Sequence, residues 1–259
     1  MTEPAQPIPG ERLPIRFFDI FVPVLVVFLA TLGLILAGVG AAIALKADPE
    51  LWTRLDPTLV TAQTEIVAIL AVTGLLYVAM LFALWAICRR RGPFTFAGYF
   101  GRFRPREFLL GGLCGALLAC GVTVMFWALD TYKIVTIHNT PNDAVLNNMH
   151  APLELALSLA VIGFIGPLAE EVYFRGLLLA WMRRWFWLPL AAVVDAAFFS
   201  FVHGENLGHP GAEGWILSGI IATIGLLNVI FYLRTRSLWM PVGLHMFYNS
   251  ALVLSAYFF

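Results

Sequence analysis

Residues 152–182 read PLELALSLAVIGFIGPLAEEVYFRGLLLAWM, an apolar run broken by Glu154 near its start and by Glu170, Glu171 and Arg175. About 20 apolar residues suffice for a helix to cross a bilayer. The stretch therefore reads as membrane helix, too long for one straight span, and Pro167 predicts a kink in it. A charge at the centre of such a helix costs roughly 2.5–3.5 kcal/mol on insertion scales. A passive scaffold gains nothing from three of them, so they mark where function is to be sought.

The rest of the chain has the same character. Of its 259 residues 60% are hydrophobic and only 12% charged, with a mean hydropathy of +0.84. A soluble domain would carry about 25% charged residues. Further apolar runs lie at 17–45, 64–88, 108–129, 187–203, 214–233 and 239–258. The predicted fold is an all-α, polytopic membrane protein of about seven transmembrane helices. Twelve basic residues fall on one side of these spans: Arg12, Arg16, Arg89, Arg90, Arg91, Arg102, Arg104, Arg106, Arg183, Arg184, Arg234 and Arg236. Lys46, Arg54 and Lys133 fall on the other. Basic loops stay in the cytoplasm, which predicts a cytoplasmic N-terminus.

Three parts are expected: a polar tail over 1–16, holding four prolines; a three-helix region over 17–149; and a polar-studded core over 150–259. The tail lacks the apolar core of a signal peptide and reads as a mobile cytoplasmic segment. Cys88, Cys114 and Cys120 have no metal-ligand spacing and read as small hydrophobes. The expected partner is the lipid bilayer, not nucleic acid. The short loops and plain N-terminus suggest the plasma membrane of a bacterium.

Three motifs could carry chemistry. In EEVYFR, residues 170–175, Glu171 and Arg175 are i and i+4 on one helical face, placed to neutralise each other, while Glu170 is rotated by roughly 100° and left to face a cavity. A structural ion pair beside an idle glutamate is the plainer reading. In FSFVH, residues 199–203, His203 shares a face with Phe199 and Asp195, and a helical hairpin turning at 183–187 would bring it level with Glu170. In HMFYN, residues 245–249, His245 and Asn249 are again i and i+4 and offer two donors of the kind an oxyanion needs. Interhelical hydrogen bonding is the plainer reading there, and for Asn228. Asp195 reads as orienting His203 or Arg175, or as lining a wet cavity. His138, His150 and His209 fall in polar loops and read as solvated.

The ordered set of Glu-Glu-x-x-x-Arg, Phe-x-x-x-His and His-x-x-x-Asn, each in its own apolar segment, resembles the CAAX-protease and bacteriocin-processing family of intramembrane proteases. Pro167, Phe174-Arg175-Gly176 and the stretch Leu233–Trp239 share the resemblance, which covers roughly residues 150–250. It implies that Glu170 and His203 activate the attacking water. It likewise implies that His245 and Asn249 hold the oxyanion, and that Glu171 and Arg175 order the site. Its implied substrates are a prenylated C-terminal peptide or a leader-type peptide.

Two mechanisms follow: direct activation of water, which is the expectation adopted, or a zinc ion held by Glu170, His203 and His245. The rival functions are a secondary transporter using the same buried charges, and a non-catalytic scaffold or immunity protein. One geometric demand is left. His245 lies about 9 Å from the cytoplasmic start of its helix, whereas His203 ends its own run and would reach the far side in a straight span. A site joining them, expected in the cytoplasmic half, requires a helix that is broken, tilted or shifted. The Gly204–Gly214 stretch is a candidate re-entrant segment.

Overall fold

The structure is a computed structural model describing residues 14–47, 62–92, 99–135, 143–146, 148–204 and 211–258. Most of the polar tail, Arg54, His138, His209 and residues 205–210 of the predicted re-entrant stretch lie outside the described residues. Among the described residues seven helices carry the fold: α1 (Phe17–Ala47), α2 (Ala62–Arg91), α3 (Pro105–Thr131), α4 (Pro152–Met182), α5 (Leu188–His203), α6 (Ala212–Thr235) and α7 (Trp239–Phe258). A single helical turn, Asp143–Leu146, precedes α4, and no strand occurs among the described residues.

Helices α1, α2, α3, α4 and α6 are long and apolar enough to cross a membrane. Phe18, Leu25, Phe28, Leu36, Leu117 and Trp127 stand exposed along them. Apolar surface on that scale belongs against lipid rather than water. Helix α5, with 16 residues, is shorter, and α7 is less apolar because His245 and Asn249 interrupt it. The protein is an integral, multi-pass helical membrane protein.

Helix α4 is the centre of the bundle, and every residue from Glu171 to Ala180 is buried. The irregularity expected at Pro167 takes a specific form. Two π-helical stretches, Leu159–Ile165 and Val172–Leu178, flank the α-helical segment Gly166–Glu171 that carries both glutamates. In the first stretch the Gly166 N–H reaches five residues back to the Val161 carbonyl. Pro167 has no N–H to offer the next carbonyl, that of Ile162. That oxygen is taken by the Asn249 side chain, whose Nδ2 donates to it at 3.0 Å. Proline and asparagine thus complement each other across two helices.

Helix α7 is held by α3 at backbone distance. A Cβ on Gly111 would lie 2.1 Å from the Met240 carbonyl oxygen, and one on Gly115 would lie 2.0 Å from that of Leu244. This Gly-x-x-x-Gly face lets two membrane helices touch main chain to main chain. Helix α5 packs on α6, with Ser200 Oγ donating to the Ser218 carbonyl at 2.7 Å. It ends at His203, where Gly204 adopts a left-handed φ of 72°. Such a residue stops a helix at almost no steric cost when it is glycine. Near the other end of the bundle, Arg91 forks onto Asp19 with bonds of 2.7 and 2.6 Å, tying α2 to α1.

Candidate active site

The two glutamates occupy different worlds, one helical step apart. Glu171 is fully buried, and its Oε1 accepts from three side chains: Asn228 Nδ2 on α6 at 2.8 Å, His245 Nδ1 on α7 at 3.0 Å and Arg175 Nη1 at 3.1 Å. Arg175, equally buried, spends its other groups in three directions. Its Nη2 donates to the Gly225 carbonyl at 2.7 Å, its Nε lies 3.6 Å from Asp195 Oδ2, and its guanidinium stacks 4.7 Å from the Phe199 ring centroid. A buried charge is tolerable only when paired and hydrogen-bonded. Glu171 Oε1 meets that condition by gathering α4, α6 and α7 around it, whereas Glu171 Oε2 and both Asp195 oxygens accept no hydrogen bond among the described residues. Asp195 faces Arg175 rather than the cavity, and Asn228 makes the interhelical hydrogen bond expected of it.

Glu170 points instead into a cavity of about 290 Å³. Its Oε1 accepts from Tyr77 Oη on α2 at 2.7 Å. Its Oε2 is approached by two imidazoles, His245 Nε2 at 3.7 Å and His203 Nε2 at 3.9 Å. Both rings are fixed from behind. His203 Nδ1 lies 2.7 Å from the Phe199 carbonyl oxygen, one helical turn back. A carbonyl can only accept, so Nδ1 carries the hydrogen and the Nε2 lone pair of the neutral ring faces Glu170. His245 Nδ1 donates in the same way to Glu171. Asn249 lines the same cavity, with one amide hydrogen committed to Ile162 and the other free to serve a ligand.

All six residues singled out in the sequence therefore gather in one place, with Glu171 and Arg175 beneath the cavity and Glu170, His203, His245 and Asn249 on its wall. Tyr77 belongs to none of the three sequence motifs and lies in the three-helix region over 17–149. The signal available was its spacing of four from Thr73, two polar groups on one face of an apolar helix, both lining the cavity. The remaining walls are mostly apolar, with Val122 and Phe126 from α3, Leu217 and Ile224 from α6, and Thr123 and Tyr248 as further polar members.

Residues 152–251, from the start of α4 through most of α7, match the family model of type II CAAX prenyl endopeptidases, Rce1-like. That segment is similar to the Rce1-like family. It contains all six residues named from the sequence, whereas Tyr77 lies outside it. The family is one of CAAX-type intramembrane endopeptidases. No curated protein and no solved structure matches the chain.

A zinc ion is the group to test against this Rce1-like core. Glu170, His203 and His245 are acceptable zinc donors in kind, and each imidazole has the Nδ1 partner such ligands need. Donor atoms around a tetrahedral zinc stand about 3.4 Å apart, given bonds near 2.0–2.1 Å. The separations of 3.7 and 3.9 Å are wider. Among the described residues no group of three His, Cys, Asp or Glu side chains closes to a metal set. The donor set is thus looser than that of a closed tetrahedral zinc site.

Proposed function

We propose that the chain is an intramembrane endopeptidase in which Glu170 and His203 activate a water directly. The observation that carries the reading is the convergence of two oriented imidazoles on the free oxygen of a cavity glutamate. Two acceptors 3.9 Å apart are bridged by one water about 2.8 Å from each. Such a water gives one O–H to Glu170 Oε2 and the other to His203 Nε2, and turns its lone pair toward a peptide carbonyl in the cavity.

Attack transfers the water's proton to Glu170 as the new C–O bond forms, and the carbonyl electrons move onto oxygen. The free amide hydrogen of Asn249 and an Nε2–H of His245, present when that ring is the imidazolium, hold the oxyanion. Collapse restores the carbonyl, breaks the C–N bond and returns the proton from Glu170 to the leaving amine. Glu171 and Arg175 touch none of these atoms; they keep His245 turned toward the cavity. On this reading the catalytic unit is residues 150–259, with the N-terminus cytoplasmic. The substrate is a membrane-associated peptide, prenylated or of the leader type, whose apolar side chains suit the cavity walls.

The test is cleavage in liposomes of a farnesylated peptide ending in Cys-aliphatic-aliphatic-Xaa, and of a leader-type peptide library. Wild type is compared with Glu170→Gln and His203→Ala. General-base catalysis is worth about 10²–10⁴-fold, so both variants should lose at least two orders of magnitude in kcat. Cleavage at the wild-type rate by Glu170→Gln would refute the mechanism.

A further inference from the structure

The geometry points to Tyr77 as the positioning residue that selects which oxygen of Glu170 works as the base. This inference rests on the proposed function. A cavity carboxylate with two equivalent oxygens can turn about its last bond and offer either one to the water. Tyr77 Oη removes that freedom by donating to Oε1 at 2.7 Å, which leaves Oε2 between the two imidazoles. No other hydrogen bond to Glu170 that short comes from within α4 or from α5, α6 or α7 among the described residues.

The backbone of α4 is arranged to receive this tyrosine. Val161 and Gly166 are joined by the five-residue hydrogen bond of the first π stretch, so they stand one turn apart on one face. Helix α2 meets that face with Gly74 and Tyr77, three residues apart. A Cβ on Gly74 would lie 3.1 Å from Val161 Cγ2, and one on Gly166 would lie 3.0 Å from Tyr77 Cε2. An α-helical register would place position 165, an isoleucine, one turn from Val161. The π turn puts glycine there and makes room for the ring. π-Helical turns of this kind recur at functional sites, and here one fits a helix outside the Rce1-like core to its reacting glutamate.

Tyr77→Phe keeps the ring and removes only the hydroxyl. A hydrogen bond to a charged group is worth about 10- to 100-fold in rate when lost from a reacting geometry. The expected result with the farnesylated peptide in liposomes is a fall in kcat of that size with KM within about twofold of wild type. Gly166→Ala, which pushes the ring aside, should lower kcat in the same sense. It should add little in the Tyr77→Phe background, because both act on one contact.

A second readout needs no substrate: the rate at which dicyclohexylcarbodiimide labels Glu170, followed by mass spectrometry. Freed from Tyr77, the carboxyl should label several-fold faster. Glu170→Gln inactive while Tyr77→Phe cleaves within twofold of wild type would overturn the role of Tyr77 alone. Labelling that is unchanged in Tyr77→Phe would overturn it too, even if the peptide is not cleaved. Full activity in Glu170→Gln would overturn the proposed function and this inference together.

Discussion

Replacing Glu171 by Gln separates the two glutamates by their physics. Glutamine keeps an oxygen where Oε1 stands, so Asn228, His245 and Arg175 retain an acceptor, and what is lost is the charge. A hydrogen bond to a charged acceptor exceeds one to a neutral acceptor by about 1 kcal/mol. With three donors on one oxygen the loss comes to about 3 kcal/mol. Breaking one side of a buried ion pair costs about 3–5 kcal/mol, which brackets the same figure. Asp195, 3.6 Å from Arg175 Nε, keeps the guanidinium from being wholly unpaired and holds the cost toward the lower end. For a chain of this size about 2–4 °C of melting temperature accompany each kcal/mol, so an apparent shift of about 6–12 °C is expected. The assay is intrinsic fluorescence on heating in detergent, at one scan rate for all variants because such unfolding is often irreversible. Glu170→Gln, whose side chain lines the cavity, should melt within about 2 °C of wild type. A Glu171→Gln protein with unchanged melting would refute the assignment of Oε1 as a charged hub. So would a Glu170→Gln protein that is equally destabilised.

Other perturbations discriminate further. Asn249→Ala leaves the Ile162 carbonyl without a donor as well as removing an oxyanion contact, so it should cost about 1–3 kcal/mol of stability and about 10²–10³-fold in kcat. Thermal melting and turnover measured on the same preparation would reveal whether the two losses come together. Gly115→Val should prevent close packing of α3 on α7, since even a Cβ there would sit 2.0 Å from the Leu244 carbonyl oxygen; loss of the monodisperse peak on size exclusion is the readout. Arg91→Ala, at the Asp19 fork far from the cavity, should leave turnover unchanged. A zinc chelator should leave cleavage of the farnesylated peptide intact, and inactivation reversed by added zinc would reinstate the metal mechanism.

Much of the site was legible because its chemistry is expensive. Glu170, Glu171, Arg175, His203, His245 and Asn249 stand out in the sequence since lipid tolerates such groups only for a reason, and helical spacing separates the roles of the two glutamates. Tyr77 was not legible in the same way. A tyrosine in an apolar helix is unremarkable by composition, and its reach into the cavity depends on a π turn in another helix that no periodicity announces. Asn249 was half legible: its place on the face of His245 follows from i and i+4, but its bond to Ile162 follows only once the register around Pro167 is known.

The demand that His203 and His245 meet shows how a local stop sets global geometry. Along its axis His203 lies about 22 Å from the start of α5, and His245 about 9 Å from the start of α7. Yet both Nε2 atoms lie within 4 Å of one carboxylate oxygen. The difference, about 13 Å, is absorbed by offset and tilt between the two helices rather than by lengthening either. Gly204 ends helix α5 directly after His203, after 16 residues, roughly 24 Å, short of the 30 Å hydrocarbon layer. It follows that Gly204→Val, which penalises the left-handed φ of 72°, should act through His203. The expected signature is a kcat lowered toward that of His203→Ala, with the Glu171 cluster, and hence the melting temperature, little changed. Wild-type turnover in Gly204→Val would mean that the placement of His203 does not depend on where α5 stops.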